Sequence, residues 1–163
     1  MGEDREEGTY AVDRTAAEET TGQRVPASGG APKAAPGRRF RLWLPVATMM
    51  GIQLWLSSQS RLPDALSPFP GVDKLQHAGW FFVLSLLAWR AARDGEAWPR
   101  RRRVGTLLAA AALWAASDEA HQSFVPGRAV EAADLGADVA GAALALAVAE
   151  AALLRRSDSA GGP

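Results

Sequence analysis

Between Asp118 and Asp138 the chain carries Asp118, Glu119, His121, Gln122, Arg128, Glu131, Asp134 and Asp138. Adjacent carboxylates with a nearby histidine are the groups that move protons in general acid–base catalysis. Carboxylates can also take up amines or hydroxyls, and an arginine offers a planar fork for carboxylate or phosphate. A second group lies upstream, with Asp73, Lys74 and His77. Asp73 and His77 are four apart and Lys74 and His77 three apart, so on a helix their side chains are neighbours. Ser57, Ser58 and Gln59 form a smaller polar group before it. These residues alternate with strongly apolar segments. Bilayer hydrocarbon tolerates such side chains only when they pair, face a protein interior or reach water.

The apolar segments define the elements that must position them. Phe40 to about Leu56 reads as a first span, preceded by Lys33, Arg38, Arg39 and Arg41. It starts late, is long and ends in SSQSR without a small-x-small cleavage pattern, so an uncleaved span is expected rather than a signal peptide. Ser57 to Val72 is a loop broken by Pro63, Pro68, Pro70 and Gly71. Asp73 to Arg90 is the second span and Ala91 to Arg103 a basic loop. Val104 to Gln122 is the third span. Ser123 to Val130 is a hairpin with a Pro126–Gly127 turn signal, and Glu131 to Leu154 is the fourth span. The expected fold is all-α, a four-helix transmembrane bundle with a disordered N-terminal tail. Residues 1–38 form that cytoplasmic tail, too poor in apolar periodicity to offset ordering entropy. Residues 39–156 form the membrane domain and residues 157–163 a C-terminal tail.

A soluble helical bundle is the competing reading, because several apolar runs are short. Val104 to Ser117 makes only ~21 Å of helix at ~1.5 Å per residue, against a hydrocarbon core of ~30 Å. The segments FRLWLPVATMMGIQLWL and AGWFFVLSLLAW lack a polar face, which favours the membrane. The short apolar stretches place Asp118, Glu119, His77 and Asp138 below the interface.

Composition excludes some classes of function. The formal net charge is zero, which gives no electrostatic basis for binding nucleic acid. There is no cysteine, so disulfides and thiolate metal sites are excluded.

Basic residues set the expected orientation. Lys33, Arg38, Arg39, Arg41, Arg90, Arg93, Arg100 to Arg103, Arg155 and Arg156 fall on one side, and Arg61, Lys74 and Arg128 on the other. This bias places both termini in the cytoplasm of a multi-pass protein in the bacterial plasma membrane. With alternating topology, four polar ends then converge on the outer face: Ser57 to Gln59, Asp73 to His77, Asp118 to Gln122, and Glu131 to Asp138. The inner halves are expected to be apolar except for Glu150. The outer acids outnumber Lys74 and Arg128, so at least one is expected to hold its proton or bind a cation. Gly136, Ala140 and Gly141 on the fourth span read as packing positions, where small residues let helix backbones approach.

The pattern DK..H at Asp73, Lys74 and His77, DE.HQ.F.PGR from Asp118 to Arg128, and D...D..G at Asp134, Asp138 and Gly141 resembles the VanZ-like membrane proteins. SSQ at Ser57 to Gln59 is similar to that family as well. The resemblance covers approximately Leu54 to Gly141. Asp138 stands where the family usually has Asn. The resemblance implies a four-helix bacterial membrane protein, and the family's named member gives low-level resistance to the lipoglycopeptide teicoplanin.

Three functions compete. The first is a binding or resistance module, whose candidate residues are Ser58, Asp73, Lys74, His77, Asp118, Glu119, His121, Gln122, Arg128, Asp134 and Asp138. Its expected partners are membrane lipids and an envelope precursor or lipoglycopeptide. The second is an enzyme acting on a lipid-linked envelope substrate, with Asp118, Glu119, His77 and His121 as candidate acid–base groups. No nucleophile motif accompanies them, the spacing matches no standard metal site, and no cofactor is expected. The third is purely structural, with charges that pair only among themselves and fix helix register.

Overall fold

The computed structural model describes residues 34–60 and 71–160. The tail expected over residues 1–38 and the loop prolines Pro63, Pro68 and Pro70 fall largely or wholly outside these residues. Helices α1 (Pro36–Ser57), α2 (Val72–Asp94), α3 (Arg100–Gln122) and α4 (Ala132–Ala160) follow in order, and no strand occurs among the described residues.

Local chemistry explains most helix ends. Pro36 sits in the first turn of α1, where its missing N–H costs nothing. Gly71, with φ 86°, turns the chain into α2, and Asp73 stands in the first turn, where a negative charge meets the positive end of the helix dipole. Asp134 takes the same place in α4.

Several boundaries differ from the sequence reading, and α1 already starts at Pro36, inside the expected tail, rather than at Phe40. Ala91–Asp94 extend α2, and Arg100–Arg103 form the first turn of α3 rather than a loop. Arginine is a good helix former, and the Arg103 N–H bonds to the Pro99 carbonyl at 2.9 Å. Its side chain is buried against α4, which draws that turn into the bundle. Helix α4 likewise continues past Leu154 to Ala160.

Helices α2 and α4 form the most extensive pair. Both start at the same end of the bundle and run side by side. Gly141 is the reason they come so close, since a Cβ there would run into the Ala78 backbone carbonyl. A core of Phe81, Ala111, Ala115 and Ala142 sits midway. A second core of Ala92, Leu107 and Leu146 lies toward the other end, with Trp43, Trp89 and Trp98 packed on it.

Helix α4 is long and apolar enough to cross a membrane by length and composition, with a mean hydropathy of 1.8 over an 18-residue stretch within Ala132–Ser159. It alone among the described helices meets that test. Helix α3 has four arginines at one end and Asp118 and Glu119 at the other. Helix α2 begins with Asp73, Lys74 and His77 and ends among Arg90 and Arg93.

Candidate functional site

Asp118 is the centre of the polar end where α1 and α3 finish and α2 and α4 begin. It lies one turn from the end of α3 and is buried. Its carboxylate accepts hydrogen bonds from Gln53 Nε2 at 3.0 Å, Ser57 Oγ at 2.5 Å and Gln122 Nε2 at 3.1 Å. Three donors from two helices therefore fix both oxygens. Gln53 is fixed in turn, because its Oε1 accepts the indole N–H groups of Trp80 at 3.0 Å and Trp114 at 2.9 Å. An amide carries its acceptor and donors at opposite corners. Two indoles on the oxygen therefore leave the NH2 group facing Asp118. Gln53, Trp80 and Trp114 tie α1, α2 and α3 together around one carboxylate.

The second unit is His77 on α2 and Asp138 on α4. His77 Nδ1 lies 3.0 Å from Asp138 Oδ1, and Asp138 is almost wholly enclosed, at 1% exposure. The close passage of Gly141 against Ala78 puts the backbones of these two residues within reach of each other. With Nδ1 held by a carboxylate, the imidazole has a fixed orientation and tautomer. His77, Asp138 and Asp118 line one open cavity of about 150 Å³, together with Gln53, Ser57 and Arg128.

Arg128 enters this cavity from the hairpin after α3. Gly127, with φ 83°, makes the turn, and a Cβ there would crowd the Ser60 carbonyl at 3.2 Å. Arg128 Nη2 donates to the Leu56 carbonyl in the last turn of α1 at 3.1 Å, an oxygen that also accepts the Gln59 N–H at 3.1 Å. Its Nε is buried without a protein partner. The arginine thus closes the end of α1 and still has a donor to offer.

A third group lies beside the cavity rather than in it. Lys74 Nζ stands 2.9 Å from Asp73, 2.6 Å from Glu131 and 2.5 Å from Asp134. The oxygens of these three acids converge within 4.8 Å of one another, near enough for a metal ion. The lysine ammonium occupies that position with three donors for three carboxylates. This group clamps the start of α2 to the start of α4.

The candidate residues therefore separate. His77, Asp118, Gln122, Arg128 and Asp138 share the cavity. Asp73, Lys74 and Asp134 form the clamp. Glu119 turns the other way from Asp118, and its Oε2 accepts the Glu131 N–H at 3.2 Å ahead of α4. His121 Nε2 meets Ser58 Oγ at 2.9 Å on the exposed rim. Adjacent in sequence, Asp118 and Glu119 are about 100° apart on the helix, and they hold separate sets of hydrogen-bond donors. Gln53, Ser57 and Trp80 belong to the site but are absent from the binding set chosen from sequence. The available signal is Gln53 itself, a lone amide inside an apolar run and four residues before Ser57.

The opposite end holds a cluster that corrects the expectation of an inner half apolar except for Glu150. Arg103 donates to Glu150 Oε1 from Nε at 2.8 Å and from Nη2 at 2.5 Å. Trp89 Nε1 donates to the same oxygen at 2.7 Å. Both charged side chains are buried. Arg39 and the buried Glu96 form another ion pair at 2.6 Å nearby.

No curated protein and no solved structure matches the chain. A family model described as VanZ/LLP1 matches residues 25–154. That stretch contains all four polar ends, the cavity and the clamp, and the chain belongs to the VanZ/LLP1 family.

Proposed function

We propose that the chain is a multi-pass membrane protein whose cavity binds a polar group presented at the outer membrane surface. The polar group belongs to a lipid headgroup, an envelope precursor or a lipoglycopeptide, in keeping with a family related to teicoplanin resistance. The observation that carries this reading is the arrangement around Asp118. A buried carboxylate held by three neutral donors lines an open cavity with the His77–Asp138 pair and an arginine that has an unused donor. Arg128 suits an anionic group, and Asp118 and His77 suit amines or hydroxyls.

The distribution of side chains supports the membrane setting. Ile52, Trp55, Val83, Leu113, Leu144 and Val148 are exposed, while Arg103, Asp118, Glu119, Asp134, Asp138 and Glu150 are buried. In a water-soluble bundle the charged residues would be almost entirely on the surface. Charged groups turned inward and large apolar groups outward suit a lipid solvent. The helices are also longer than the apolar stretches within them. Helix α3 has 23 residues, or ~35 Å at ~1.5 Å per residue, enough to cross a ~30 Å core.

The test is teicoplanin susceptibility of a sensitive Gram-positive host expressing wild type or Asp118→Asn, with membrane protein matched. Protection by wild type and loss of protection in the variant support the reading. Equal protection by both removes Asp118 from the function.

A second reading, acid–base catalysis on a lipid-linked substrate, is favoured by the fixed His77–Asp138 pair alone. It requires turnover. His77→Gln that still binds ligand but no longer converts it would support catalysis, and binding without any conversion by wild type would leave the binding function.

A further inference from the structure

A second opening lies at the basic end, between α2 and α4, and has no part in the outer site. It is a groove of about 440 Å³. The register fixed by Gly141 against Ala78 carries down both helices, so Arg93 stands level with Arg156. On α2, Leu86, Arg90 and Arg93 line the groove at helical spacing. On α4, Ala149, Leu153 and Arg156 repeat that spacing. Side chains three, four and seven apart share a helix face. The groove is thus apolar where it is deep in the bundle and basic at its mouth.

The charges at the mouth are not balanced within the protein. Arg93 pairs with Asp94 at 2.5 Å and lies over the Trp89 ring at 4.8 Å. Arg90 and Arg156 are exposed, and their side chains have neither an ion pair nor a hydrogen bond among the described residues. Two unpaired guanidiniums therefore stand above an apolar wall, each with a donor fork that matches phosphate.

We propose that this groove binds an anionic phospholipid, with its phosphate between Arg90 and Arg156 and an acyl chain along Leu86 and Leu153. The inference rests on the membrane reading given above. Basic pockets between spanning helices at the cytoplasmic side take anionic headgroups for the same electrostatic reason. A bound lipid would bridge α2 and α4, the two helices that build the His77–Asp138 pair at the other end.

The experiment is native mass spectrometry of the full chain in detergent, titrated with phosphatidylglycerol or phosphatidylcholine. Wild type should retain phosphatidylglycerol preferentially. Arg90→Ala combined with Arg156→Ala should weaken that retention roughly thirtyfold, the fold-change for two arginines at about 1 kcal/mol each. A control removes the same charge outside the groove, Arg41→Ala with Arg101→Ala, and should retain the lipid as wild type does. Equal retention of the two lipids overturns the proposal, as does equal loss in the control, which would mean a diffuse basic surface. Displacement of the lipid by millimolar inorganic phosphate also overturns it, because a soluble anion would then suffice. Carbonate extraction of the same membranes separates the two failures. A protein stripped from the membrane contradicts the membrane setting, whereas one that stays without lipid preference contradicts only the groove.

Discussion

Gln53 shows how one uncharged side chain sets the chemistry of a charged one. Its oxygen takes two indole N–H groups and its nitrogen supports Asp118. Replacing it with Leu leaves both indoles and the carboxylate short of a partner, and an orphaned buried polar group costs about 1–3 kcal/mol. Gln53→Leu should therefore lower the thermal unfolding midpoint in detergent and abolish the proposed teicoplanin protection even where some protein remains folded. Asp138 gives a complementary case. Asn at this position can still accept a hydrogen bond from His77 Nδ1. Asp138→Asn should keep near-normal protein levels, whereas Asp138→Leu removes the acceptor and should not. Immunoblots of membranes from the same host distinguish these outcomes.

Helices α2 and α4 depend on contacts that differ in kind along their length. At Gly141 the requirement is space. Gly141→Val should force the two backbones apart, separate His77 from Asp138 and lower the unfolding midpoint by several degrees. Overpacking of this kind costs about 1–3 kcal/mol or more. Gly136 on the same helix has open space around it, so Gly136→Ala should be neutral or stabilising by up to about 1 kcal/mol. Lower down the requirement is charge. Glu150→Leu leaves buried Arg103 unpaired, at a cost of about 3–5 kcal/mol, and Arg103→Leu in the same chain should recover much of it. Chemical denaturation of the single and double variants reads that difference. Apolar runs and breakers make the four helices legible in the sequence, and the convergence of their polar ends follows from alternating direction. The split between Asp118 and Glu119 is less visible, because it depends on the rotation of α3 against its neighbours. Arg103 is hidden for a similar reason. Within RRRR nothing local marks one arginine as buried, and only its level with Glu150 on another helix decides it.

Across the whole molecule the two ends have different characters. One gathers acids, amides and histidine around a cavity, and the other gathers arginines around Glu150, Glu96 and an apolar groove. Between them lie Phe81, Ala111, Ala115 and Ala142, and the polar side chain buried next to this level on α2, Ser85, is uncharged. This apolar middle argues for binding at one face rather than passage across. On the proposed membrane reading, the direction of the molecule is the point on which the function depends, since the cavity must face outward to meet an envelope ligand. The absence of native cysteine allows a direct measurement. Gln76→Cys, which lines the cavity, and Arg90→Cys, at the basic end, are treated in intact cells with a membrane-impermeant maleimide. The expected result is labelling of the residue 76 variant at once and of the residue 90 variant only after the membrane is opened. The reverse pattern, or equal labelling of both in intact cells, would contradict an outward-facing cavity.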